Sequence, residues 1–249
     1  MSAGADAPRL TIGWLYGASM NIYGDRGNVL ALVQRCRWRG IQAEVVTIGV
    51  GEPLAPDRCD LYFWGGGQDR EQVPAARDMQ GAKGDLLRAE VADGAPLLAI
   101  CGGYQLLGRY YRTADGEELP GIGLVDAWTE AGPERAIGNV VVESDEFGTI
   151  VGFENHSGRT FLGPEVRPLG RVTVGRGNNG RDGTEGCRAN SAIGCYLHGA
   201  LLPKNPAVAD YLIAAALRRR YGVERLAALD DALEVRAQGA AVRRAQATR

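Results

Sequence analysis

The stretch that most constrains this chain covers residues 95–111, which read Ala-Pro-Leu-Leu-Ala-Ile-Cys-Gly-Gly-Tyr-Gln-Leu-Leu-Gly-Arg-Tyr-Tyr. The apolar run at 97–100 is typical of a buried strand, and apolar residues beyond the two glycines recur at helical spacing. A strand that enters a helix through one sharp turn is a nucleophile elbow, which crowds the residues two before and two after its tip. Ala99 and Gly103 are both small, so the sequence predicts Cys101 at the tip of such an elbow.

Cys101 is therefore the predicted nucleophile. At a helix N-terminus, unpaired backbone N–H groups and the helix dipole favour the thiolate over the thiol. The N–H of Gly102 would lie beside the sulfur and could donate to a developing oxyanion. The alternative is a cysteine that merely ends a core strand, because free cysteine is among the most buried residue types.

The composition argues against several classes of protein. The formal net charge of −2 over 249 residues gives no reason to expect a nucleic acid as partner. The five cysteines are odd in number and contain no C-x-x-C pair, which favours a reducing compartment and predicts a cytoplasmic protein. No stretch has the length and apolarity of a signal peptide or a membrane span, so none is expected.

The pattern of elements predicts an α/β fold. Strands predicted at 10–16, 41–48 and 61–64, with a helix over 29–36 between the first two, indicate a mostly parallel central sheet covered on both faces. A helix is expected over 70–93, broken or kinked near Pro74, Gly81 and Gly84.

The second half of the chain predicts different structure. Short strands separated by turn residues indicate an antiparallel extension on one side of the parallel sheet, at 121–127, 136–142, 149–153 and 171–174. Beyond it we expect a strand at 192–197, a helix from Pro206 to Gly222 and a last helix marked by Leu226, Leu229 and Leu233. We predict one domain over 1–237 and a disordered tail at 238–249.

A glycine loop follows the third strand, Gly65-Gly66-Gly67-Gln68-Asp69. Open α/β sheets bind ligands at the carboxyl ends of their strands, and glycine lets backbone N–H groups approach a ligand closely. We therefore predict that Gly66 or Gly67 supplies a second oxyanion donor beside Gly102. A plain tight turn is the alternative, and no Gly-Lys-Ser/Thr follows to make a Walker loop.

A second glycine-rich segment, residues 175–180, matches G-x-G-x-x-G but does not predict a dinucleotide site. The fingerprint must open a helix, whereas the residues that follow are Arg181-Asp182-Gly183-Thr184-Glu185-Gly186. A hairpin loop with Asn179-Gly180 as its turn is the better interpretation.

Two histidines are available as the acid/base partner of the cysteine. His198 follows an apolar strand and is favoured. His156 lies between Asn155 and Ser157 in what we interpret as a polar turn, where a structural role is expected. Cys195 and His198 could suggest a metal site with Cys187, but strand alternation points Cys195 and His198 to opposite faces, so no metal is expected.

With these features assembled, the motif Cys101-Gly102-Gly103-Tyr104-Gln105 resembles that of class I glutamine amidotransferases of the cobyric acid synthase type. Further stretches resemble the GatD-type glutaminase subunits of lipid II isoglutaminyl synthases: Tyr23-Gly24-Asp25-Arg26-Gly27-Asn28, Gly65-Gly66-Gly67-Gln68-Asp69, Gly152-Phe153-Glu154-Asn155-His156 and Gly177-Asn178-Asn179-Gly180.

The resemblance implies a flavodoxin-like three-layer fold and a two-subunit reaction. The glutaminase subunit hydrolyses L-glutamine, and a MurT-type ATP-dependent ligase uses the ammonia to amidate the α-carboxyl of D-glutamate in the lipid II stem. ATP and Mg are then expected on the ligase, with no cofactor in this chain. By resemblance Cys101 is the nucleophile, His198 the acid/base and Arg135 the contact for the substrate carboxylate, with Gln105 as a further substrate contact.

One departure from the class I pattern concerns the third member of the triad. Many members carry His-x-Glu, whereas this chain reads His198-Gly199-Ala200. Either another acid substitutes, with Asp25, Asp69 and Glu154 as candidates, or the partner supplies it. Two other functions stay open, a glutaminase for a cobyrinate-like amidase and a non-catalytic scaffold that binds a partner.

Overall fold

The computed structural model describes residues 7–248. The first sheet has six strands: β1 Arg9–Leu15, β2 Gln42–Ile48, β3 Leu61–Trp64, β4 Leu97–Ile100, β11 Cys187–Ala189 and β12 Ala192–Cys195. Their order in the sheet is β11-β12-β4-β3-β1-β2. All neighbouring pairs are parallel except β11 and β12, which confirms the predicted, mostly parallel central sheet.

Six α-helices occur in the described part of the chain: α1 Arg26–Trp38, α2 Asp69–Asp78, α3 Ala82–Ala92, α4 Gly102–Leu107, α5 Pro206–Tyr221 and α6 Ala232–Ala247. The break predicted within 70–93 falls at Gly81, whose φ of +72° is readily adopted only by glycine. Pro74 is accommodated inside α2.

The antiparallel section forms a second sheet, with strands β5 Tyr110–Arg112, β6 Glu118–Pro120, β7 Ala127–Ser144, β8 Gly148–Leu162, β9 Gly170–Val174 and β10 Thr184–Glu185. Their order is β10-β9-β7-β5-β6, and β8 pairs with β7. A backbone bridge between Phe153 and His198 joins this sheet to the segment after β12. The predicted antiparallel section is thus present, as a sheet of its own.

Two of its strands are much longer than predicted. The strands expected at 136–142 and 149–153 are parts of β7 and β8, and the strand expected at 121–127 is absent apart from Ala127. A register shift between Ala131 and Ala136 accommodates Pro133, which cannot donate to the ladder. The bulge lets one strand continue through residues that interrupt the sequence pattern.

The glycine-rich segment at 175–180 lies in the connection between the antiparallel strands β9 and β10, so the hairpin prediction is confirmed. Asn179 Oδ1 accepts the N–H groups of Arg181 and Asp182 at 3.0 and 3.1 Å and closes the turn. These bonds satisfy backbone donors that have no strand partner.

The predictions for the C-terminal region require correction. The residues at 222–231 form no regular helix, and α6 extends through most of the predicted disordered tail. Residue 249 lies outside the described residues. Ala245 packs with Val141 and Val151, and Gln238 Nε2 donates to the Thr149 carbonyl at 2.9 Å. The helix therefore docks through small and polar side chains, which leave no leucine stripe in the sequence.

Helix α1 is fixed against the C-terminal half of the chain. The buried Arg35 guanidinium contacts Asp210 at 2.7 Å and Asp231 at 2.6 Å. At the start of the helix, Asn28 Oδ1 accepts the N–H of Leu202 at 2.9 Å. These contacts hold the N-terminus of α1 beside the segment that follows β12.

Glu185 is a buried carboxyl group that connects the two sheets, since its Oε1 accepts the N–H of Tyr196 at 2.5 Å. Burial raises the pKa of Glu185 from 4.5 to about 8. Between these pH values Glu185 ionises in the unfolded chain and keeps its proton in the folded protein, so the folded protein loses stability as pH rises through this window.

We expect the unfolding free energy of the wild type to fall from pH 4.5 to 8 relative to that of Glu185→Gln, as measured by denaturant titration. Parallel pH profiles of the two proteins would contradict the assignment.

Candidate active site

The predicted elbow is present. Strand β4 ends at Ile100 and α4 begins at Gly102, with Cys101 between them at φ +51° and ψ −106°. Positive φ is uncommon for residues other than glycine and costs on the order of 1–3 kcal/mol. The N–H of Cys101 donates to the Cys195 carbonyl at 2.8 Å. The neighbouring strand thus holds the cysteine in this backbone conformation at the start of α4.

The need for a small residue at position 103 has a direct cause. A Cβ atom on Gly103 would lie 2.6 Å from the Trp64 carbonyl oxygen, inside van der Waals contact. The Gly103 N–H donates to the Gly65 carbonyl at 3.2 Å. Close approach at Gly103 therefore brings the elbow against the glycine loop after β3.

A buried carboxylate lies beside His198, where the third member of a triad is expected. His198 and Asp25 are fully buried, and His198 Nδ1 lies 3.1 Å from Asp25 Oδ1. Asp25 immediately precedes α1, and its second oxygen, Oδ2, accepts the N–H of Gly66 at 2.7 Å. Of the three candidate acids left open by the sequence, the structure brings Asp25 to the imidazole.

The other two candidate acids have different partners. Asp69 accepts the Tyr111 hydroxyl at 3.1 Å, and Glu154 accepts the backbone N–H groups of Arg176 and Gly177 at 2.9 and 3.0 Å. At the position of the usual glutamate, Ala200 packs against the first turn of α1, since a Cβ on Gly27 would lie only 2.6 Å from the Ala200 Cβ.

The environment of His198 favours the imidazolium. Burial favours the neutral ring, but the charge of Cys101 and the hydrogen bond with Asp25 outweigh it and raise the pKa of His198 to about 10. The Nε2 atom has no conventional hydrogen-bond partner among the described residues. A protonated ring with its Nε2 free of other acceptors is suited to give a proton to a leaving group.

In the glycine loop, the structure leaves Gly67 as a candidate oxyanion donor and excludes Gly66. The N–H of Gly66 is already engaged by Asp25, so it orients the acid rather than facing a substrate. The Gly67 nitrogen lies 3.0 Å from the position of a Cβ on Gly102. Gly102 opens α4, so its N–H has no acceptor within the helix. Gly67 and Gly102 therefore remain the candidate pair of donors.

A cavity of about 420 Å³ opens over the cysteine. Arg135, on β7, lines this cavity, and its Nε donates to Asn155 Oδ1 at 2.8 Å. Gln105 lines it as well, and its Oε1 is buried without a partner among the described residues. The structure thus brings Cys101, Gln105 and Arg135 to one cavity.

His156 also lines this cavity, which the sequence did not indicate. It lies within β8 rather than in a polar turn, so that prediction was wrong. Its ring stacks on Tyr196 at 3.6 Å, and its Nδ1 lies 2.8 Å from the Gly158 carbonyl. Every second residue in this part of β8 is buried. The sequence does not show this alternation, because Glu154, Asn155 and Ser157 are all polar.

Comparison with known proteins identifies the family. Residues 11–206 match the CobB/CobQ-like glutamine amidotransferase domain. The chain belongs to this family. The family assignment agrees with the elbow cysteine, the late histidine and the cavity over the cysteine, and it makes the chain a glutamine amidotransferase.

The chain is also similar to two named relatives and to one solved structure. The chain is 44% identical, over 95% of its length and 96% of the relative, to the GatD subunit of the glutamine-hydrolysing lipid II isoglutaminyl synthase of Staphylococcus aureus. It is 39% identical to the same subunit of Streptococcus pneumoniae, covering 90% of this chain and 87% of that one. The solved structure of PurLQS from Thermotoga maritima has a similar fold, with a TM-score of 0.56 and 16% identity over 83% of this chain and 98% of that one.

Within residues 7–248 no helix has the length and apolarity needed to cross a bilayer. In the same part of the chain, no three His, Cys, Asp or Glu side chains converge as ligands for a metal ion.

The Asp25 carboxylate should be necessary for turnover. In Asp25→Asn the side chain cannot accept from both His198 and Gly66, so the imidazole loses its orientation and its stabilised charge. We expect kcat for glutamine hydrolysis to fall by about 10²- to 10⁴-fold with KM little changed, and the alkaline limb of the kcat profile to move to lower pH. Steady-state kinetics across pH measures both, with Asp25→Glu as the conservative variant. An unchanged kcat in Asp25→Asn would contradict the triad.

Proposed function

We propose that this chain is the glutaminase subunit of a lipid II isoglutaminyl synthase. It hydrolyses L-glutamine through a cysteine thioester and passes ammonia to an ATP-dependent ligase subunit of the MurT type, which amidates the α-carboxyl of D-glutamate in the lipid II stem. The observation that carries the proposal is the buried Asp25–His198 pair, electrostatically coupled to an elbow cysteine. The near full-length match to two GatD subunits supports the assignment to this synthase.

In the first step, the Cys101 sulfur attacks the side-chain amide carbon of glutamine. The C–S bond forms while the carbonyl π electrons move to oxygen, giving an oxyanion beside the Gly67 and Gly102 N–H groups. These donors act through their fixed position, which requires no reorganisation as the charge develops. Cys101 and Gly67 line the same cavity, which places the nucleophile and one of these donors on a common surface.

In the second step, the tetrahedral intermediate collapses and the C–N bond breaks. His198 gives its Nε2 proton to the departing nitrogen, which leaves as ammonia, and the acyl group remains on sulfur as a thioester. The neutral imidazole then takes a proton from water, whose oxygen attacks the thioester carbon. The C–S bond breaks, glutamate leaves, and the thiolate and imidazolium return. Asp25 holds the ring in one orientation throughout.

The chemistry that needs a nucleotide belongs to the partner in this proposal. ATP and Mg would activate the acceptor carboxyl on the ligase, while this chain acts through its own side chains and backbone N–H groups. All five of its cysteines are buried and free of disulfides, which fits the reducing conditions of the cytoplasm.

The two rival functions make different predictions. A glutaminase for a cobyrinate-like amidase would deliver ammonia to a different acceptor, so the amidated product separates it from the present proposal. A non-catalytic scaffold would leave Cys101 unreactive. Reaction of Cys101 with 6-diazo-5-oxo-norleucine, a glutamine analogue that alkylates the nucleophile, excludes the scaffold.

Replacement of the nucleophile should separate the two half-reactions. In the complex of this chain with its ligase, we expect Cys101→Ala to abolish lipid II amidation with glutamine as nitrogen donor and to leave amidation with ammonium salts near the wild-type rate. The acceptor product is measured by mass spectrometry. Cys187→Ala is a matched control, because this buried cysteine lies outside the cavity. Equal loss of both activities in Cys101→Ala would contradict the assignment.

A further inference from the structure

The cavity over Cys101 contains two charged side chains that lack a counter-ion. Asp69 is the only carboxylate among the residues that line it, within the part of the chain that the structure describes. Arg135 lines it too, with Asn155 as its hydrogen-bond partner. The other lining cation, Arg70, pairs with Glu71 at 2.8 Å. One anion and one cation are therefore available to a bound molecule.

Glutamine carries a matching pair of charges at the end of the molecule that does not react. Its α-carboxylate is suited to a guanidinium, which can donate two parallel hydrogen bonds. Its α-ammonium has three donors and requires acceptors, and a carboxylate is the strongest of these. We infer that Asp69 binds the α-ammonium group of glutamine and determines specificity for it. The inference rests on the proposed function.

The local structure prepares Asp69 for this role. Asp69 is the first residue of α2, where the helix dipole stabilises a negative charge. The hydroxyl of Tyr111 donates to its Oδ1 at 3.1 Å and fixes the carboxylate, while no described residue donates to Oδ2. Burial and the neighbouring Asp69 raise the pKa of Tyr111, so the hydroxyl stays protonated and continues to donate. Tyr111 is thus a positioning residue for Asp69.

Gln72, Gln105 and His156 also line the cavity, and none of them is an anion. The Gln72 amide group lies about 3.0 Å from the position of a Cβ on Gly102, next to the candidate oxyanion donors. Gln105 follows Cys101 by one helical turn, and its Nε2 donates to the Tyr196 hydroxyl at 3.3 Å. The Nε2 atom of His156 lies 3.8 Å from Glu154. This leaves Asp69 as the acceptor with a full charge.

Substrate analogues that lack one charge test the inference. The wild-type complex should hydrolyse L-glutamine with a much higher kcat/KM than 4-carbamoylbutanoate, which is glutamine without its α-ammonium. In Asp69→Asn we expect kcat/KM for glutamine to fall by about 10- to 100-fold, as for the loss of a hydrogen bond to a charged group. The value for 4-carbamoylbutanoate should stay within about twofold of wild type.

Two further variants sharpen the test. Tyr111→Phe should raise KM for glutamine several-fold with kcat unchanged, because the carboxylate is less well fixed. Arg135→Gln should show the reciprocal pattern. Its kcat/KM should fall for glutamine and stay unchanged for 4-aminobutanamide, which lacks the carboxylate. Asp85→Asn is the control: it removes a charge on α3, outside the cavity, and should leave kcat/KM unchanged for both substrates.

Equal losses for glutamine and 4-carbamoylbutanoate in Asp69→Asn would overturn the inference, since a merely structural role at the start of α2 lowers both. An unchanged kcat/KM for glutamine would overturn it as well. Failure of the proposed function looks different: the wild-type complex would then hydrolyse no glutamine, or would transfer its nitrogen to no lipid II acceptor.

Discussion

The buried hydrogen bond between His198 and Asp25 connects three parts of the chain that are far apart in sequence. One carboxylate oxygen contacts the imidazole and the other accepts the N–H of Gly66. A single side chain therefore orients the proposed acid/base and fixes the loop that leads to Gly67, the proposed oxyanion donor. In a buried environment such bonds are strong, and loss of one partner leaves an uncompensated charge. The contacts of Arg35 and Asn28 at α1 hold this carboxylate in place.

Local patterns made the centre of the fold predictable. The elbow was evident because strand, turn and helix follow one another within a few residues, and each signal depends only on neighbours in sequence. The parallel sheet was predictable for a similar reason, since strands alternate with helices along the first hundred residues. The contact between Asp25 and His198 spans 173 positions, and nothing in the sequence ranks Asp25 above Asp69 or Glu154. Only the approach of α1 to the segment after β12 decides among them.

The regions that were predicted poorly are those in which long-range packing overrides local signals. Pro133 and its neighbours interrupt the strand pattern, yet β7 continues across them through a bulge. His156 has polar neighbours, yet it is buried against Tyr196 within β8. Helix α6 contains many alanines and arginines and only one buried residue, Ala245. Its docking depends on small side chains opposite Val141 and Val151, which hydrophobic periodicity does not reveal.

The two sheets contribute different parts of the cavity. Cys101 follows a strand of the first sheet, whereas Arg135 belongs to the second, and the bridge between Phe153 and His198 joins the sheets next to the imidazole. The separation between Arg135, the proposed contact for the substrate carboxylate, and the Cys101 sulfur is therefore set by the relative placement of the two sheets. A displacement of about 1 Å in such a geometry can lower a rate by about 100-fold. A protein that bound both sheets at once would therefore change the rate of turnover, although the contacts of each reacting group would stay the same.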